Sequence, residues 1–417
     1  MLISSEYTSL GHPDRTCDTI AANLINRIQH KDKENSHAAI EVFASDDTII
    51  FGGEAKTTLN LNKKLLKDVV NESFEACGYL PNKRTRFTKE EVYLAKDVKI
   101  INKIHAQSTD IARATTELKS ATGWNDQGIF FSGFSSLTPT GQGVGKFLAQ
   151  NFGDYLFEYS KRYPDLGSDI KIVFTLDVDD KDMITAKNIV HITVAIPSLE
   201  DSVANTNLVK SLYEDWQKDF NYTESFPELH KLVTSSTPEF TVNGTGRYVN
   251  HGFHSDASMT GRKLAVNNMS VGPVYSMCQC GGGSYIKPWH ASDFLLPMAA
   301  TWISKAVVGL GLTSYANVAL ACTIGSRSID SFCITGDAKF NKDVKLRNLL
   351  TTALINYGIS PDSLKDRWSL LDRFNFFKSE LQNFVKKDSV IFNVPWYDTK
   401  DLINYLRPII DEGIVEQ

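Results

Sequence analysis

The chain has 417 residues, 42% of them hydrophobic and 22% charged, with a formal net charge of −5. That length exceeds what one simple core serves and points to two or three domains of an ordinary globular protein. The acidic balance excludes attraction to nucleic acid through the overall field, and the six cysteines follow no framework spacing, as in a reducing compartment.

Taken in order, the first residues MLISSEYTSLGHPD carry neither a basic flank nor an apolar core of signal-peptide length. The chain therefore reads as cytoplasmic. Pro13 suits the first position of a helix, with Ile20, Leu24, Ile25 and Ile28 along one face. A hairpin pattern follows over residues 38–43 and 48–52, turning at Ser45-Asp46-Asp47. Residues 61–77 read as an amphipathic helix, with Leu65, Leu66, Val69, Val70 and Phe74 inward and Gly78 as its stop.

The middle third gives a helix over 144–161, strands near 170–176 and 189–196, and a helix over 207–220. The last third gives a helix over 292–308, strands near 315–323 and 328–335, and a helix over 344–357 with Gly358 as its cap. The apolar run 294–312 is interrupted by Pro297, Ser304 and Lys305, so it reads as a buried helix and not a membrane span. From residue 360 onward the chain reads as helix broken at Val394-Pro395-Trp396, without visible chemistry. A helix–hairpin–helix order met three times predicts an α+β fold of three similar domains in pseudo-threefold arrangement. Each would be a small mixed or antiparallel sheet with helices on one face. The cuts fall at 1–113, 114–240 and 241–417.

The chemistry concentrates in polar, glycine-rich loops. NGTGRYVNHGFHSDASMTGRK, residues 243–263, sets Arg247, Asp256, Arg262 and Lys263 among four glycines. Glycines let the backbone approach a ligand, and an Arg-Lys pair offers a fork and a point charge to phosphate. A solvated polar loop is the plain alternative, and for His251 and His254 a solvent-facing position is the commoner explanation. Gly11-His12-Pro13-Asp14-Arg15 stands at a helix start, where free N–H groups attract anions; Asp14 could equally cap that turn. Glu41 and Glu54 flank the first hairpin. Asp126-Gln127 sit in a tight loop before an apolar strand-like run. Gly281-Gly282-Gly283-Ser284 with Lys287 form an anion nest. Residues 141–147 miss the phosphate-loop pattern in spacing and in lacking Ser or Thr at Phe147. Cys278, Cys280 and His290 lack a fourth ligand for zinc.

GHPDR, GGE, IHAQSTDI, NDQG, NGTGRYV…D…TGRK and GGG…K…D occur in one order. That order resembles the S-adenosylmethionine synthetase (methionine adenosyltransferase) family from about residue 4 to residue 335. The resemblance implies a fold of three similar α+β domains and a reaction between L-methionine and ATP. The sulfur attacks C5′, the triphosphate leaves, and it is then cut to pyrophosphate and phosphate. It implies Mg²⁺ on Asp14 and Asp293, K⁺ beside Glu41, and methionine held by Glu54, Gln107 and Asp256. His12 would steady the departing oxygen, and Arg262, Lys263 and Lys287 would clamp the phosphates. Asp126, Asp169, Lys171, Arg247, Tyr248, Asp256 and Ser284 complete the ATP contacts it implies. It also implies a homodimer, or a dimer of dimers, with active sites between subunits, and neither a nucleic-acid nor a membrane partner.

Three departures accompany the match. The glycine-to-lysine spacing is one residue short, Ala291 stands where the family has a second lysine, and the histidine before the glycines is missing. Two other readings follow: an enzyme of this fold using another thioether or only hydrolysing triphosphate, and a non-catalytic regulatory homologue.

Overall fold

The structure is a computed structural model that describes residues 1–79, 85–107, 123–263, 287–371 and 394–415. In chain order the elements begin with β1 (Leu2–Thr8), α1 (Pro13–Asp32), β2 (His37–Ser45), β3 (Thr48–Lys56), α2 (Lys63–Ala76), β4 (Lys99–Ala106) and β5 (Gly128–Ser135). Then come α3 (Val144–Ser160), β6 (Lys171–Val178), β7 (Ala186–Ala195), α4 (Ser202–Asp219), α5 (Pro227–Ser235), β8 (Glu239–Val242) and β9 (Ser258–Met259). The last are α6 (Ser292–Gly309), β10 (Tyr315–Cys322), β11 (Ser331–Thr335), α7 (Ala338–Lys342), α8 (Val344–Tyr357), α9 (Pro361–Trp368) and α10 (Lys400–Val415).

The chain divides into two compact units. One holds Met1–Ala106, Val144–Val266 and Phe376–Ile391; the other holds Gln107–Gly143, Asn267–Asn375 and Phe392–Gln417. The first carries two sheets, ordered β4-β3-β2-β9 and β1-β6-β7-β8, and the second carries β11-β10-β5. One plan underlies all three. Each is centred on an antiparallel hairpin, β2–β3, β6–β7 or β10–β11, with a helix before it and a helix after it. The first hairpin strand takes an antiparallel neighbour from far away in sequence: β9 on β2, β1 on β6, β5 on β10. In two sheets the second hairpin strand takes a parallel neighbour, β4 on β3 and β8 on β7.

This is the α+β architecture that the threefold helix–hairpin–helix order predicts. Strand exchange, however, crosses the cuts at 113/114 and 240/241: β1 pairs with β6, and β9 pairs with β2.

Periodicity explains the elements. In β2, Ile40, Val42 and Ala44 are buried between exposed neighbours, and in β6 Ile172, Phe174 and Leu176 alternate likewise. Helix α2 buries Leu66, Val69, Val70 and Phe74 as predicted, while Leu65 stays half-buried. α8 matches its predicted bounds and ends on Gly358 at φ 78°, a left-handed cap. α1 departs from expectation. It is buried on its polar side too, at Asn23, Asn26 and Gln29, because it packs against α2 on one side and β2 and β9 on another. The amide of Asn23 reaches the Val69 carbonyl, Glu72 and Ser73 on α2, which satisfies its donors inside the core. α6 runs unbroken through Pro297, and among the described residues no helix is long and apolar enough to cross a membrane.

The two sheets of the first unit present different open faces. Across β9-β2-β3-β4 the register aligns Met259, Phe43, Ile50 and Ile101 in one row. Three of them are large and bare, at 44%, 42% and 39% exposure for Met259, Phe43 and Ile101. The corresponding face of β1-β6-β7-β8 is polar: Ser4 bonds Thr175 at 2.9 Å, Glu6 pairs with Lys171 at 3.1 Å, and His191 meets Thr241 at 3.0 Å.

Candidate active site

The start of α1 organises the site in the first unit. Gly11 is required there by close approach: a Cβ on it would lie 2.2 Å from the Ser168 carbonyl oxygen. His12 is the cap. Its Nδ1 accepts the Asp14 N–H at 3.2 Å, so Nδ1 carries no proton and the neutral ring bears its hydrogen on Nε2. Burial is the first cause that pushes the ring down to about 3, and the Lys263 and Lys171 charges add to it. His12 is thus a neutral donor at any physiological pH.

Asp14 does not merely decorate the first turn. Its side chain is 1% exposed, its Oδ2 accepts from Lys263 Nζ at 2.6 Å, and Arg262 lies 3.5 Å from Oδ1. The Met259 N–H also donates to Oδ1 at 3.1 Å. One turn further along α1, Asp18 accepts the Gly261 N–H at 2.8 Å. Two carboxylates of one helix therefore pin the loop that delivers Arg262 and Lys263. Arg262 remains half exposed, with its guanidinium also bonded to the Ala257 carbonyl at 2.8 Å.

The same loop is held from below by Asp169, whose Oδ2 accepts the Gly252 N–H at 3.1 Å. Gly252 sits at φ 66°, a left-handed conformation that favours glycine. Burial pushes the Asp169 carboxyl up to about 7, against the pull of the Gly252 N–H and the Tyr248 hydroxyl. Tyr248 is largely committed as well, its hydroxyl 3.4 Å from the Asp169 carbonyl. His251, expected to face solvent, is only 3% exposed, stacked on Tyr79 and edge-on to Phe87. Desolvation drives it down to about 4, so it is a neutral core residue. Arg247 and Asp256 are exposed, and Lys171 faces Glu6 across β1 and β6.

Glu41 and Glu54 both stand on the open face of the β2–β3 hairpin, where Glu41 opposes Gly52 and Glu54 opposes Ala39. Glu41 accepts from the Thr260 hydroxyl, and the Thr260 N–H donates to the Val42 carbonyl at 3.0 Å. This edge pairing brings the 256–263 loop onto β2.

In the second unit a separate group forms at the start of α6. Asn125 Oδ1 accepts the Ser292 N–H at 2.8 Å, docking the Asp126 loop on that helix end. Cys322 Sγ donates to the Asp126 carbonyl at 3.3 Å, and burial pushes its thiol up to about 12, with Asp330, Asp126 and Asp293 adding to the shift. Asp293 and Lys287 are partly exposed, and Ala291, the cap position of α6, is buried and gives no side-chain cap. Gln107 has a buried Oε1 with no hydrogen-bond partner among the described residues. Ser284, Gly281–Gly283, Cys278 and Cys280 lie outside the described residues.

Sequence reasoning singled out Asp14, Arg262 and Lys263 but missed Asp18, Thr260 and Met259, which hold them in place. Asp18 carried a signal, one turn after Asp14 on the same helix; a backbone N–H donated by Met259 carries none.

The chain resembles known proteins along nearly its whole length. Residues 1–109 match the family described as S-adenosylmethionine synthetase, N-terminal domain. An S-adenosylmethionine synthase of Acholeplasma laidlawii is 28% identical over 371 residues, covering 85% of this chain and 89% of that protein. One from Fusobacterium nucleatum is 26% identical, covering 94% of both. Among solved structures, an unusual S-adenosylmethionine synthetase from Campylobacter jejuni superposes with a TM-score of 0.81 at 25% identity, covering 98% of this chain and 99% of that one.

Proposed function

We propose a division of labour by which this chain, a divergent member of the S-adenosylmethionine synthetase family, makes S-adenosylmethionine from L-methionine and ATP. The observation that carries it is the corner where Lys263 and Arg262 meet the buried Asp14 carboxylate beside a neutral His12. A triphosphate leaving group carries about four negative charges, so cations must already be in place when another charge develops on the 5′ oxygen. Lys263 and Arg262, with Lys287, would receive those charges. His12, whose Nε2–H is fixed by the Asp14 N–H on its other nitrogen, donates to the departing oxygen without needing to gain a proton first.

Asp126, Asp169, Lys171, Ser284 and the Arg247–Tyr248 pair would hold the rest of ATP. Asp169 would work through the loop, by fixing Gly252, and the Tyr248 hydroxyl donates to the Asp169 carbonyl. Glu54, Gln107 and Asp256 would grip methionine, Asp256 through the ammonium group; Gln107 would accept through its Oε1, which has no hydrogen-bond partner among the described residues.

The family uses metal ions. Asp14 and Asp293 would hold Mg²⁺, an ion usually bound by one or two carboxylates plus substrate phosphates and not by an all-protein cage. Glu41 would take K⁺. Bound there, Mg²⁺ would neutralise phosphate oxygens and hold the chain in one orientation.

The row Met259–Phe43–Ile50–Ile101 supports a homodimer in which a second copy covers this face, beside Glu41 and Glu54. A dimer of dimers would leave that contact unchanged. The three domains would each be built on one hairpin, with β1, β5 and β9 exchanged between segments of the chain.

The test is an assay of the full chain with ATP, Mg²⁺, K⁺ and methionine, reading S-adenosylmethionine and phosphate separately. Both products are expected, and Lys263→Ala should lower sulfonium formation by about 10²-fold or more. Phosphate without the sulfonium would shift the reading to another acceptor or to hydrolysis alone; neither product would make the chain a regulatory homologue. Ala291 supplies no charge where the family has lysine, so His290→Ala should slow phosphate release about tenfold if that imidazole substitutes.

A further inference from the structure

Away from the residues assigned to ATP and methionine, α3 and α4 border an open cavity of about 450 Å³ in the first unit. That is the size of a small-molecule site. Its walls include Tyr155 and Tyr159 on α3, Trp216 on α4, and Tyr222 just beyond. Asp154, Glu158 and Asp219 add three carboxylates against the single guanidinium of Arg162. Glu158 is partly matched at the rim by Lys161, at 2.5 Å.

Asp154 makes this more than an aromatic cleft. Its Oδ1 accepts from the Tyr7 hydroxyl at 2.5 Å, but its Oδ2 is buried with no hydrogen-bond partner among the described residues, although part of the residue's remaining surface reaches solvent. A buried carboxylate oxygen left without a partner costs stability unless something meets it. Burial pushes the carboxyl up to about 7, and Tyr7, Arg15 and Gln150 pull it down without offsetting that rise, while Glu158 adds to it. The carboxylates outnumber the Arg162 guanidinium in the lining, and the aromatic walls cannot replace the water shell of a small hydrated metal ion. Aromatic rings and carboxylates lining one cavity suit a cation whose charge is spread over methyl groups.

We infer that the cavity between α3 and α4 binds a small organic cation, a quaternary ammonium or a sulfonium, held by the Tyr155, Tyr159 and Trp216 rings and the Asp154 carboxylate. This site does not depend on the assignment of the catalytic residues. It would make the chain responsive to a methylated cation at a place separate from His12 and Asp14.

The experiment is calorimetric titration of the full-length protein with choline, with trimethylsulfonium, and with 3,3-dimethylbutan-1-ol, the uncharged isostere of choline. The cations should bind, with the isostere weaker by about tenfold; whichever cation binds more tightly names the source. Asp154→Asn should weaken cation binding at least several-fold, and Asp219→Asn and Tyr159→Leu, at partly exposed and more tolerant positions, should do the same. S-adenosylmethionine formation without added cation should stay unchanged in all three. Equal binding of choline and its isostere, no cation binding at millimolar concentration, or unaltered binding in both Asp219→Asn and Tyr159→Leu would overturn the inference.

Discussion

Helices α1 and α6 occupy the same place in two of the three repeats, and each puts an aspartate at its second position, Asp14 after Pro13 and Asp293 after Ser292. Beyond that turn they differ. α6 is apolar nearly all round, burying Phe294, Leu295, Leu296, Trp302 and Ile303, with hydroxyls such as Thr301 bonded to Ser132 at 2.6 Å or to the helix itself. α1 buries polar groups on most of its turns and spends them on neighbours: Asp14 and Asp18 on the 256–263 loop, Asn23 on α2. The repeat fixes where an acid can stand at a helix start. What fills the rest of the helix decides whether it also positions a loop of cations.

The most severe test removes the shared feature. Asp14→Asn and Asp293→Asn should each lower kcat/KM for S-adenosylmethionine formation by about 10²–10³ if both helix starts serve the triphosphate. A large loss for Asp14→Asn with none for Asp293→Asn would confine the chemistry to α1. The next test concerns the interiors. Asn23→Leu removes a partner from Ser73 Oγ and from Arg27 Nε and should cost about 2 kcal/mol in denaturant unfolding, whereas Thr301→Val on α6 removes one hydroxyl pair and should cost about 1 kcal/mol. Equal costs would mean that the polar filling of α1 is not structural.

A third test addresses the loop that only α1 supports. Asp169 holds a folded value near 7, above its ordinary carboxylate value, so the native state keeps a proton that the unfolded chain releases. Its contribution is fully present below the unfolded value and is lost as pH rises through 7. Relative to the parent, Asp169→Asn should therefore gain about 2–3 kcal/mol of stability between pH 5 and pH 8. The measurement is unfolding in urea at both pH values; a constant difference would mean that Asp169 is ionised throughout.

Much of this was legible in the sequence, and the illegible part has a physical reason. The hairpins and long helices announce themselves because their periodicity is local: β2 alternates buried and exposed residues, and Gly358 marks the end of α8. β1 does not, since LISSEYT mixes polar and apolar residues, buries Tyr7 and Thr8 side by side, and pairs with residues some 170 positions away. Continuous domain cuts miss such exchange. The cationic loop was visible as composition, yet its partner was not, because the Lys263–Asp14 pair spans 249 residues. The burial of His251 was equally hidden: a histidine between polar neighbours reads as exposed until Tyr79 and Phe87 close over it.

The smallest expected effect is an absence, and it tests how α1 begins. His12 sits near 3 because burial and the Lys263 charge oppose its protonation. A histidine acting as a proton donor by titration would give the rate a limb near its ordinary value of about 6.5. A neutral donor with its hydrogen fixed on Nε2 gives none. The log kcat profile between pH 5 and pH 8 should thus contain no step that His12→Asn removes, although the variant should be slower at every pH. Nitrogen NMR of the imidazole should report the Nε2–H tautomer across the same range. A step near pH 6.5 that vanishes in His12→Asn would show the ring charging in solution, and the neutral-donor role at the start of α1 would fall with it.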